Sequence, residues 1–508
     1  MNHAHRFSKY ILAAFMMISA ALGLLRFNSL QLGTSYDDAH YIILAESISS
    51  GQGYQLINFP QPRIEQAFPP GWPVLLTPLT FLLPGNYSIL KLFTLVLWLA
   101  SLLLLYKFFS KRIESPHIEI LTGLIALNPL LIGTSVTLMS ESAYLFFSLI
   151  VLVLFDSWDS SSEGTNYRLI IFIAAAALFT QLIRTVGISI FIALVVYYFL
   201  SQRFKEAAVT LGVFALGALT QSWLNLRNGG SVISAGYESQ VFSGSVIEKA
   251  GQMWSNLLGY FNETVVGAIV PILGEKVTSL VGPTIPFILN AGILLLILFG
   301  FLFSRRKFGL MDLYFAIYLL GILAFWNPKV GSVKARFLIP IIPFLYFYFI
   351  QGSKWILDRF TKNNLTNGAR IMLGAAGLIA LILFARNLQD WRNPISGQMT
   401  DLSIGADWVA ENAPADAIIM VNEPVPVYVQ VRRKTIEYPK NLQNIESYVI
   451  NQGIDYIIVA PELQSPRTEK LDEDIKSELL PILNGDPGKF TIVFHDAKHN
   501  VTVYKIED

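Results

Sequence analysis

The sequence predicts a mostly α-helical, polytopic membrane bundle of about eleven spans, followed by a small α/β domain at the C-terminal end. Of the 508 residues, 53% are hydrophobic and only 14% are charged, whereas an ordinary soluble domain carries roughly 25% charged residues. A membrane-spanning helix needs roughly 20 mostly apolar residues, and eleven segments approach that length. These predicted spans are 10–27, 88–109, 118–136, 138–155, 168–183, 185–200, 207–226, 284–303, 310–326, 336–351 and 370–387.

The distribution of apolar residues divides the chain into two predicted domains. Residues 1–390 form the membrane domain, and residues 391–508 form the α/β domain. Within the second domain, 401–412 has helical periodicity, 417–421 and 456–460 are typical of buried strands, and 490–506 has the pattern of a hairpin. A further apolar piece near 72–83 is too short to span and is predicted to lie at the membrane interface.

The orientation follows from the lysines and arginines of the short loops, which favour the cytoplasmic side. With a cytoplasmic N-terminus, the basic clusters at 107–112, 203–205, 305–307 and 354–370 all fall inside. Eleven crossings then place the α/β domain outside, together with the loops 28–87, 227–283 and 327–335. We therefore expect a multi-pass membrane protein whose first apolar segment is retained as a span. The expected location is a bacterial inner (plasma) membrane.

The composition excludes several classes of function. A net charge of +1 does not provide the basic face that nucleic acid requires, so no nucleic-acid partner is expected. The chain contains no cysteine, which excludes disulfides, a thiol nucleophile and cysteine-ligated metals. The six histidines do not have the spacing of a metal motif such as H-E-x-x-H, so a histidine-based metalloenzyme is not expected.

The first outer loop, 28–87, contains an adjacent pair of acidic residues. Asp37 and Asp38 open a predicted helix in which Tyr41 shares a face with Asp37. A carboxylate beside the membrane surface is suited to act as general base for an incoming hydroxyl. However, Ser35-x-x-Asp38 also resembles a capping box, and acidic residues favour helix N-termini. Both interpretations stay open on these residues alone.

Further charged residues lie at predicted membrane edges on the same side. Arg63 precedes the rigid Pro-Pro-Gly-Trp-Pro turn at 69–73 and could contact a lipid phosphate or lie among head groups. Glu141 opens the fourth span, and Arg184 lies between two spans. An isolated edge charge often extends to the interface. Two charges of opposite sign on the side of the acidic pair instead predict a shared site.

Three cations lie in the predicted outer loop 327–335 and at the start of the following span, where the positive-inside rule disfavours them. They are Lys329, Lys334 and Arg336. A phosphate is a natural counter-ion, because an arginine can hold it through two parallel hydrogen bonds while lysines add point charge. Ordinary anionic head groups are the alternative ligand. In the outer loop 227–283, Tyr237, Trp254 and Tyr260 either contact an acceptor or anchor the membrane interface.

Taken in order, these motifs resemble the GT-C class of polytopic glycosyltransferases. The shared features are the early acidic pair, Tyr41 four residues after Asp37, Pro-Pro-Gly-Trp-Pro, Asn-Pro at 128–129 before Ser-Glu at 140–141, and Arg-Phe-Leu-x-Pro-x-x-Pro from Arg336. The similarity is to the protein O-mannosyltransferases and the lipid A aminoarabinose transferase (family 39 type). It covers about residues 8–390 and rests on order and spacing, because no single motif is specific.

The resemblance implies transfer of a sugar from a polyprenyl-phosphate donor to a hydroxyl of a lipid, glycan or protein acceptor on the outer face. Transfer would proceed by single displacement with inversion, with Asp37 as base and Asp38 supporting it. Membrane lipids are the other expected partners. The residues expected to bind substrate or lipid phosphate are Arg63, Glu141, Arg184, Lys329, Lys334 and Arg336.

The sequence departs from the family pattern at two points. Many relatives have Glu as the second acid, where this chain has Asp38, and an acidic-basic pair before Pro-Pro, where it has Ala67 and Phe68. The second departure weakens the case for a phosphate ligand from this loop. Some GT-C enzymes use a divalent metal. We predict no resident metal or cofactor, and the alternative is a metal bridging Asp37, Asp38 and Glu141.

Two rival functions are compatible with part of the sequence. A polytopic lipid or glycan transporter or flippase is the main alternative, although such proteins usually show mid-membrane charges or paired halves. A receptor or assembly protein with an outer domain would leave the acidic pair and the cation cluster unexplained. The sequence does not specify the sugar or the acceptor.

Overall fold

The computed structural model describes residues 2–28, 32–65, 67–160, 166–227, 245–271, 282, 284–303, 309–326, 333–360, 365–394, 400–461 and 473–507. Lys329 and Tyr237, which the sequence singles out, lie outside these residues.

In the first half of the helical bundle, the described residues form ten α-helices and a small β-hairpin. These elements are α1 (Asn2–Leu25), α2 (Asp37–Ser49), β1 (Gln55–Leu56), β2 (Arg63–Ile64), α3 (Gly71–Leu82), α4 (Tyr87–Phe109), α5 (His117–Ala126), α6 (Pro129–Ser135), α7 (Glu141–Asp159), α8 (Tyr167–Ile183), α9 (Ile188–Leu200) and α10 (Phe204–Arg227).

Six further α-helices complete the described part of the bundle. They are α11 (Val246–Gly259), α12 (Val265–Ile269), α13 (Thr284–Phe303), α14 (Leu310–Phe325), α15 (Ile342–Phe360) and α16 (Leu365–Arg392). A π-helical turn (Tyr260–Thr264) joins α11 to α12, and a 3₁₀ segment (Ala335–Ile341) precedes α15.

The chain is an integral, multi-pass membrane protein, but the predicted count of eleven spans is not confirmed. Among the described residues, six helices are long and apolar enough to cross a membrane, or seven if the bent pair α5 and α6 forms one span. Each of the eleven predicted segments falls largely on helical chain. Several of the predicted segments fall on apolar helices of fewer than 18 residues. The shorter apolar helices are Gly71–Leu82, Tyr167–Ile183, Thr185–Leu200 and Leu310–Phe325.

The bend of 53° between α5 and α6 has a local cause in Asn128 and Pro129. Proline has no N–H to donate and is favoured at the first position of a helix, so a new helix begins there. The Asn128 side chain caps that helix by accepting hydrogen bonds from the backbone N–H groups of Leu130 (3.0 Å) and Leu131 (3.2 Å). Its amide nitrogen also donates to the carbonyl of Ala268 at 2.7 Å. The Asn-Pro motif therefore ends one helix and starts the next inside the bundle.

The C-terminal region contains the predicted small α/β structure. Its helices are α17 (Thr400–Asn412), α18 (Pro424–Val431), α19 (Ile445–Gln452) and α20 (Leu480–Gly485), and its strands are β3 (Ile418–Met420), β4 (Lys434–Ile436), β5 (Tyr456–Val459), β6 (Phe490–Asp496) and β7 (Val501–Ile506). The strand order is β4-β3-β5-β7-β6, with β3 parallel to β4 and β5, and β7 antiparallel to both its neighbours.

Both faces of this sheet are covered, because successive strand residues point to opposite sides. Ile419 and Ile458 belong to the hydrophobic cluster that contains Leu402 and other residues of α17. Their neighbours Met420 and Ile457 belong to a second cluster with residues of α19 and α20. The continuous apolar runs that predict buried strands therefore correspond to a central sheet between two layers of helices.

The α/β region docks on the first long loop through α18 and β4. Val425 and Val429 of α18 belong to the main hydrophobic core of the helical bundle. The backbone N–H of Thr435 donates to the carbonyl of Asn58 at 2.8 Å, and Lys434 Nζ donates to the carbonyl of Ile57 at 2.6 Å. The end of the bundle that carries α2, α3 and this region is called the loop end below.

A salt bridge at the loop end connects this region to the C-terminal part of α2. Arg432 Nη1 lies 2.9 Å from Glu46 Oε2 and 2.6 Å from Tyr87 Oη. The Glu46 side chain is only 10% exposed, whereas that of Arg432 is 44% exposed. Solvent screening weakens the attraction at Arg432. Loss of the guanidinium would nevertheless leave a largely buried carboxylate whose remaining side-chain partner, among the described residues, is Tyr87.

We therefore expect Arg432→Met to loosen the α/β region from α2 while the membrane helices stay folded. Hydrogen exchange over Asp37–Ser49 measures this effect, and we expect faster exchange in the variant because α18 packs on α2. The charge-reversed pair Glu46→Arg with Arg432→Glu is the control and should recover part of the protection. Unchanged exchange in Arg432→Met would contradict the role of the salt bridge.

Candidate functional site

The helix that begins at Asp37 is built into the core rather than lying on the surface. Ten of its thirteen residues are buried, from Asp38 to Ser47. The N-cap residue, Tyr36, has a positive φ of 61° and makes no side-chain capping bond. A non-glycine residue in this left-handed region is strained, which is common next to functional residues. The predicted Ser35 capping box is therefore wrong.

The two adjacent acids have different surroundings. Asp38 is 1% exposed, and its carboxylate accepts hydrogen bonds from the backbone N–H groups of Gly33 (2.9 Å) and Ala39 (3.0 Å). These bonds fix the loop that leads into the helix. Asp37 instead points its carboxylate at Arg336, with 2.5 Å between Asp37 Oδ2 and Arg336 Nη2. Of the pair, Asp37 is the one that joins other charged side chains.

Four charged residues from four separate segments form a cluster, which we call the charge cluster. Glu141 lies at its centre: its Oε1 is 2.5 Å from Arg336 Nε and 2.6 Å from Arg184 Nη1. Arg336 in turn bonds Asp37, so the order is Asp37–Arg336–Glu141–Arg184. The formal charges cancel. This compensation stabilises the group at the end of an apolar bundle, where an unpaired charge is costly.

Exposure differs sharply along the charge cluster. The Glu141 side chain is 1% exposed and that of Arg184 12%, whereas Asp37 is 21% and Arg336 34% exposed. The first two residues are therefore buried supports, and the last two can meet a ligand. Arg336 bonds its protein partners through Nε and Nη2. Its Nη1 has no hydrogen-bond partner among the described residues.

The Pro-Pro-Gly-Trp-Pro motif positions the buried half of the charge cluster. Gly71 contacts the chain just before Arg184 so closely that an added Cβ would lie 2.6 Å from the carbonyl carbon of Leu182. Only glycine permits that approach. Trp72 is fully buried, and its Nε1 donates to the carbonyl of Leu138 at 2.8 Å, three residues before Glu141. One short motif therefore contacts both segments that carry the supports.

Hydroxyl groups link the acidic helix to these supports. Tyr41 Oη lies 3.2 Å from Ser140 Oγ. Ser140 Oγ also accepts a hydrogen bond from Arg184 Nη1 at 3.0 Å. Burial raises the pKa of Tyr41, which therefore stays a neutral hydroxyl. The sequence places Tyr41 on the face of Asp37 but gives no role to Ser140. Its only sequence signal is its position immediately before Glu141.

Arg336 lies in the 3₁₀ segment before α15, and aromatic residues hold that segment. Tyr318 Oη donates to the carbonyl of Phe337 at 2.8 Å. Phe337 also packs against Trp326, with 5.5 Å between ring centroids. Lys334 Nζ lies 6.0 Å from the Trp326 ring centroid, a cation–π distance. Sequence reasoning missed Tyr318, because nothing in the pattern of a buried apolar helix distinguishes it.

The structure pairs Arg63, another predicted phosphate ligand, with the α/β region instead. Arg63 Nη1 lies 2.6 Å from Glu437 Oε1, and the guanidinium carbon lies 3.7 Å from the Phe59 ring centroid. The charge cluster accordingly contains Asp37, Glu141, Arg184 and Arg336 of the predicted set, without Arg63.

The alternative of a metal bridging three carboxylates does not fit this geometry. Across the described residues, no group of three or more His, Cys, Asp or Glu side chains could hold a metal ion. Asp38 directs its carboxylate to backbone N–H groups, and the guanidinium of Arg336 lies between Asp37 and Glu141.

Burial of Asp38 gives a testable pH dependence of stability. Desolvation raises the pKa of Asp38 to about 6, partly offset by the hydrogen bonds from Gly33 and Ala39. An acid with a raised folded-state pKa stabilises the fold most below its unfolded pKa of 3.8, and this contribution is lost as pH rises to about 6. The shift corresponds to a loss on the order of 3 kcal/mol in the free energy of unfolding between low pH and pH above about 6.

We expect Asp38→Asn to remove that pH dependence. Thermal unfolding of wild type and variant, measured from about pH 4 to pH 8, checks this. The difference in stability, wild type minus variant, should fall as pH rises to about 6 and then stay constant, because other titrating groups cancel in the difference. A difference that is independent of pH would show that Asp38 is ionised throughout.

The chain matches no protein-family model, but its fold is similar to that of several solved structures. No curated protein matches the chain either. The oligosaccharyltransferase of Archaeoglobus fulgidus, solved with a tethered acceptor peptide, has a TM-score of 0.58 and 14% identity over 99% of this chain and 74% of its own. ArnT from Cupriavidus metallidurans, solved with undecaprenyl phosphate, has a TM-score of 0.61 and 12% identity over 97% of each chain.

A third similar structure is the arabinofuranosyltransferase AftD from Mycobacteria. Its TM-score is 0.53, with 15% identity over 98% of this chain and 40% of AftD, so this chain spans less than half of that protein. The three proteins are all GT-C glycosyltransferases. At these identities the likeness concerns the fold. The predicted architecture is confirmed: the chain has the GT-C fold, a membrane-embedded helical bundle with a small C-terminal α/β region.

Proposed function

We propose that the protein is a membrane glycosyltransferase that moves a sugar from a polyprenyl-phosphate donor to an acceptor hydroxyl. The observation that carries the proposal is the charge cluster, in which an accessible acid and an accessible arginine bind each other, and the arginine is held by the buried Glu141. The similarity to three GT-C glycosyltransferases supports it, and one of these was solved with undecaprenyl phosphate. By analogy, the donor of this chain is lipid-linked.

Asp37 is the proposed general base. Its carboxylate is partly exposed, lies at the start of a buried helix and is fixed by Arg336. In the reaction, Asp37 accepts the proton of the acceptor hydroxyl as that oxygen attacks the anomeric carbon of the donor sugar. The bond between this carbon and the phosphate oxygen breaks, and polyprenyl phosphate leaves with the bonding electrons. One displacement inverts the configuration at the anomeric carbon.

Arg336 is the proposed ligand of the leaving phosphate. Negative charge develops on the phosphate as the bond breaks, and a guanidinium already in position stabilises it. Nη1 of Arg336 has no partner among the described residues and Arg336 is 34% exposed, so a phosphate oxygen can bind without breaking the contact to Glu141. Lys334, two residues earlier, adds positive charge, and Lys329 is proposed to do the same.

Glu141 and Arg184 act as supports in this proposal. Glu141 holds Arg336 through Nε and is itself held by Arg184. Because Glu141 is buried, the bond is protected from water and the guanidinium keeps a fixed direction. Arg63 is assigned to docking of the α/β region, through Glu437.

The remaining assignments are part of the same proposal. The loop end faces the outside of a bacterial inner membrane, with the N-terminus in the cytoplasm, because the basic short loops then lie inside. The acceptor is a hydroxyl of a lipid, glycan or protein. No step of the proposed reaction requires a metal ion. Transport of a lipid-linked sugar is the competing function, and the experiment below distinguishes the two.

The test measures transfer of radiolabelled sugar from polyprenyl-phosphate donors to an envelope extract by purified protein in lipid nanodiscs. We expect Arg336→Met to lower transfer about 100-fold or more, because the leaving phosphate loses its preorganised donor. Arg63→Met is the matched control. It removes an arginine from the same end but outside the charge cluster, and should retain transfer within a few-fold.

Two outcomes would contradict the proposal. Equal losses in both variants would show that the charge cluster has no special role in binding the donor. Movement of intact donor across liposome membranes, without sugar transfer to any fraction of the extract, would favour the transporter.

A further inference from the structure

Helix α11 (Val246–Gly259) turns a polar face towards the protein and an apolar face outward, which is the reverse of a helix on the surface of a water-soluble protein. Gln252 and Asn256 face the protein, and Asn256 is fully buried. Ile247 and Trp254 face outward and are 84% and 62% exposed, and Leu258, on the same face, is 43% exposed. In water, the apolar face would be buried and the polar face hydrated.

The inward-facing amides have a defined structural task. Asn256 Nδ2 donates to the carbonyls of Leu323 and Trp326, both at 2.7 Å, and Gln252 Nε2 donates to those of Trp326 (2.6 Å) and Ala324 (3.1 Å). The carbonyls of Leu323 and Ala324 belong to the last turn of α14, where helical partners run out, and Trp326 is the residue that follows this helix. In an apolar environment such groups must be satisfied by protein. The polar face of α11 donates the hydrogen bonds that these carbonyls need.

The outward apolar face continues onto a membrane-length helix. Phe261, which follows α11, is 36% exposed and packs on Phe287 of α13, with 6.4 Å between ring centroids. Phe287 and its neighbour Ile288 are 56% and 62% exposed, and α13 is apolar enough to cross a membrane. The exposed side chains of α11 therefore extend the lipid-facing surface of α13 towards the loop end.

We propose that α11 is a lipid-facing helix whose apolar side lies in the acyl-chain region at the loop end of the bilayer. Trp254 is then a membrane anchor rather than an acceptor contact, which decides between the two roles that the sequence leaves open for it. Tyr260, which is 4% exposed, is a buried core residue and has neither role.

This placement connects the bilayer to the charge cluster. Helix α11 binds the Trp326 carbonyl, and the Trp326 ring packs on Phe337, the residue after Arg336. Gly259 also faces Val333, because an added Cβ would lie 3.0 Å from Val333 Cγ2. A lipid surface under α11 thus supports the segment that carries Lys334 and Arg336. The inference on lipid contact does not depend on the proposed transferase activity.

The absence of cysteine from the chain allows a direct test by site-directed spin labelling. A nitroxide is placed at Ile247→Cys or Trp254→Cys in the full-length protein in phosphatidylcholine–phosphatidylglycerol nanodiscs, and collision rates with oxygen and a water-soluble nickel chelate are measured. Two matched controls have side chains that are 68% exposed: Leu381→Cys on membrane-length α16, and Ile450→Cys in the α/β region.

We expect labels at 247 and 254 to be accessible to oxygen and protected from the nickel chelate, like the label at 381 and unlike that at 450. A nickel-accessible label at both sites would overturn the proposal. Protection from both reagents would also overturn it, because protein would then cover the face. Dipolar coupling between two copies labelled at 254 would instead identify the occupant as a second copy of this chain.

Discussion

Replacing Asp37 by Asn is expected to lower sugar transfer by about 100- to 10,000-fold, the range attributed to a general base. The amide has nearly the same shape and can still accept a hydrogen bond from Arg336, but it cannot take the proton of the acceptor hydroxyl. The loss should therefore appear in kcat with little change in donor binding. Steady-state transfer at several donor concentrations, with unchanged thermal stability as evidence of folding, checks this.

The adjacent acid provides the comparison for this variant. Asp38 directs its carboxylate to the backbone N–H groups of Gly33 and Ala39. The fold-loss of transfer in Asp38→Asn is therefore expected to be at least ten times smaller than the fold-loss in Asp37→Asn. A larger loss for Asp38→Asn would reverse the assignment of the two acids. Equal, small losses would mean that neither acid removes the proton.

Replacing Glu141 by Gln is expected to have the largest effect on stability. The carboxylate is 1% exposed and binds both Arg184 and Arg336 through one oxygen. Removing one partner of a buried ionic group typically lowers the free energy of unfolding by about 3–5 kcal/mol, because the remaining charges stay buried and uncompensated. Thermal unfolding followed by tryptophan fluorescence should show a clearly lower midpoint, and transfer should be lost with it.

A conservative variant separates charge from shape at this position. Glu141→Asp keeps the negative charge on a shorter side chain and should recover more stability than Glu141→Gln, although the bond to Arg336 lengthens. If Gln is tolerated as well as Asp, the two arginines do not depend on the charge of residue 141. The account of a compensated cluster would then be incorrect.

The sequence predicts the members of the charge cluster better than their contacts. All four members are identifiable as charges at the ends of apolar segments, where charged residues are costly and are often functional. They are Asp37, Glu141, Arg184 and Arg336. The bond between Asp37 and Arg336 joins residues 299 positions apart, and no local pattern encodes such a distance. The order of motifs, and their resemblance to the GT-C class, supplied the expectation that they meet.

Arg63 has a contact that the sequence does not predict. From the sequence it is one more cation near the membrane edge, and its partner Glu437 lies 374 residues later in the α/β region. That pairing depends on how α18 and β4 dock on the first loop. Strand β4 has only three residues, including Lys434 and Thr435, so neither its length nor its polarity predicts a strand.

The predicted number of eleven spans is not confirmed, and the reason is physical as well. Hydropathy identifies the apolar helices, but it cannot tell a helix that crosses the bilayer from one that is packed among other helices. The helices Tyr167–Ile183 and Leu310–Phe325 are apolar yet have fewer than 18 residues. By contrast, the strands Tyr456–Val459 and Val501–Ile506 were predictable, because continuous or alternating apolar residues between polar turns leave few alternatives.

The most direct test of the central claim needs no knowledge of the acceptor. Purified protein in nanodiscs is incubated with a polyprenyl-phosphate sugar donor and an envelope extract, and free polyprenyl phosphate is quantified by mass spectrometry. We predict release by the wild type, strongly reduced release by Asp37→Asn, and little release without the extract. Donor that remains intact with the wild type, while the same protein in liposomes moves it across the membrane, would contradict the account.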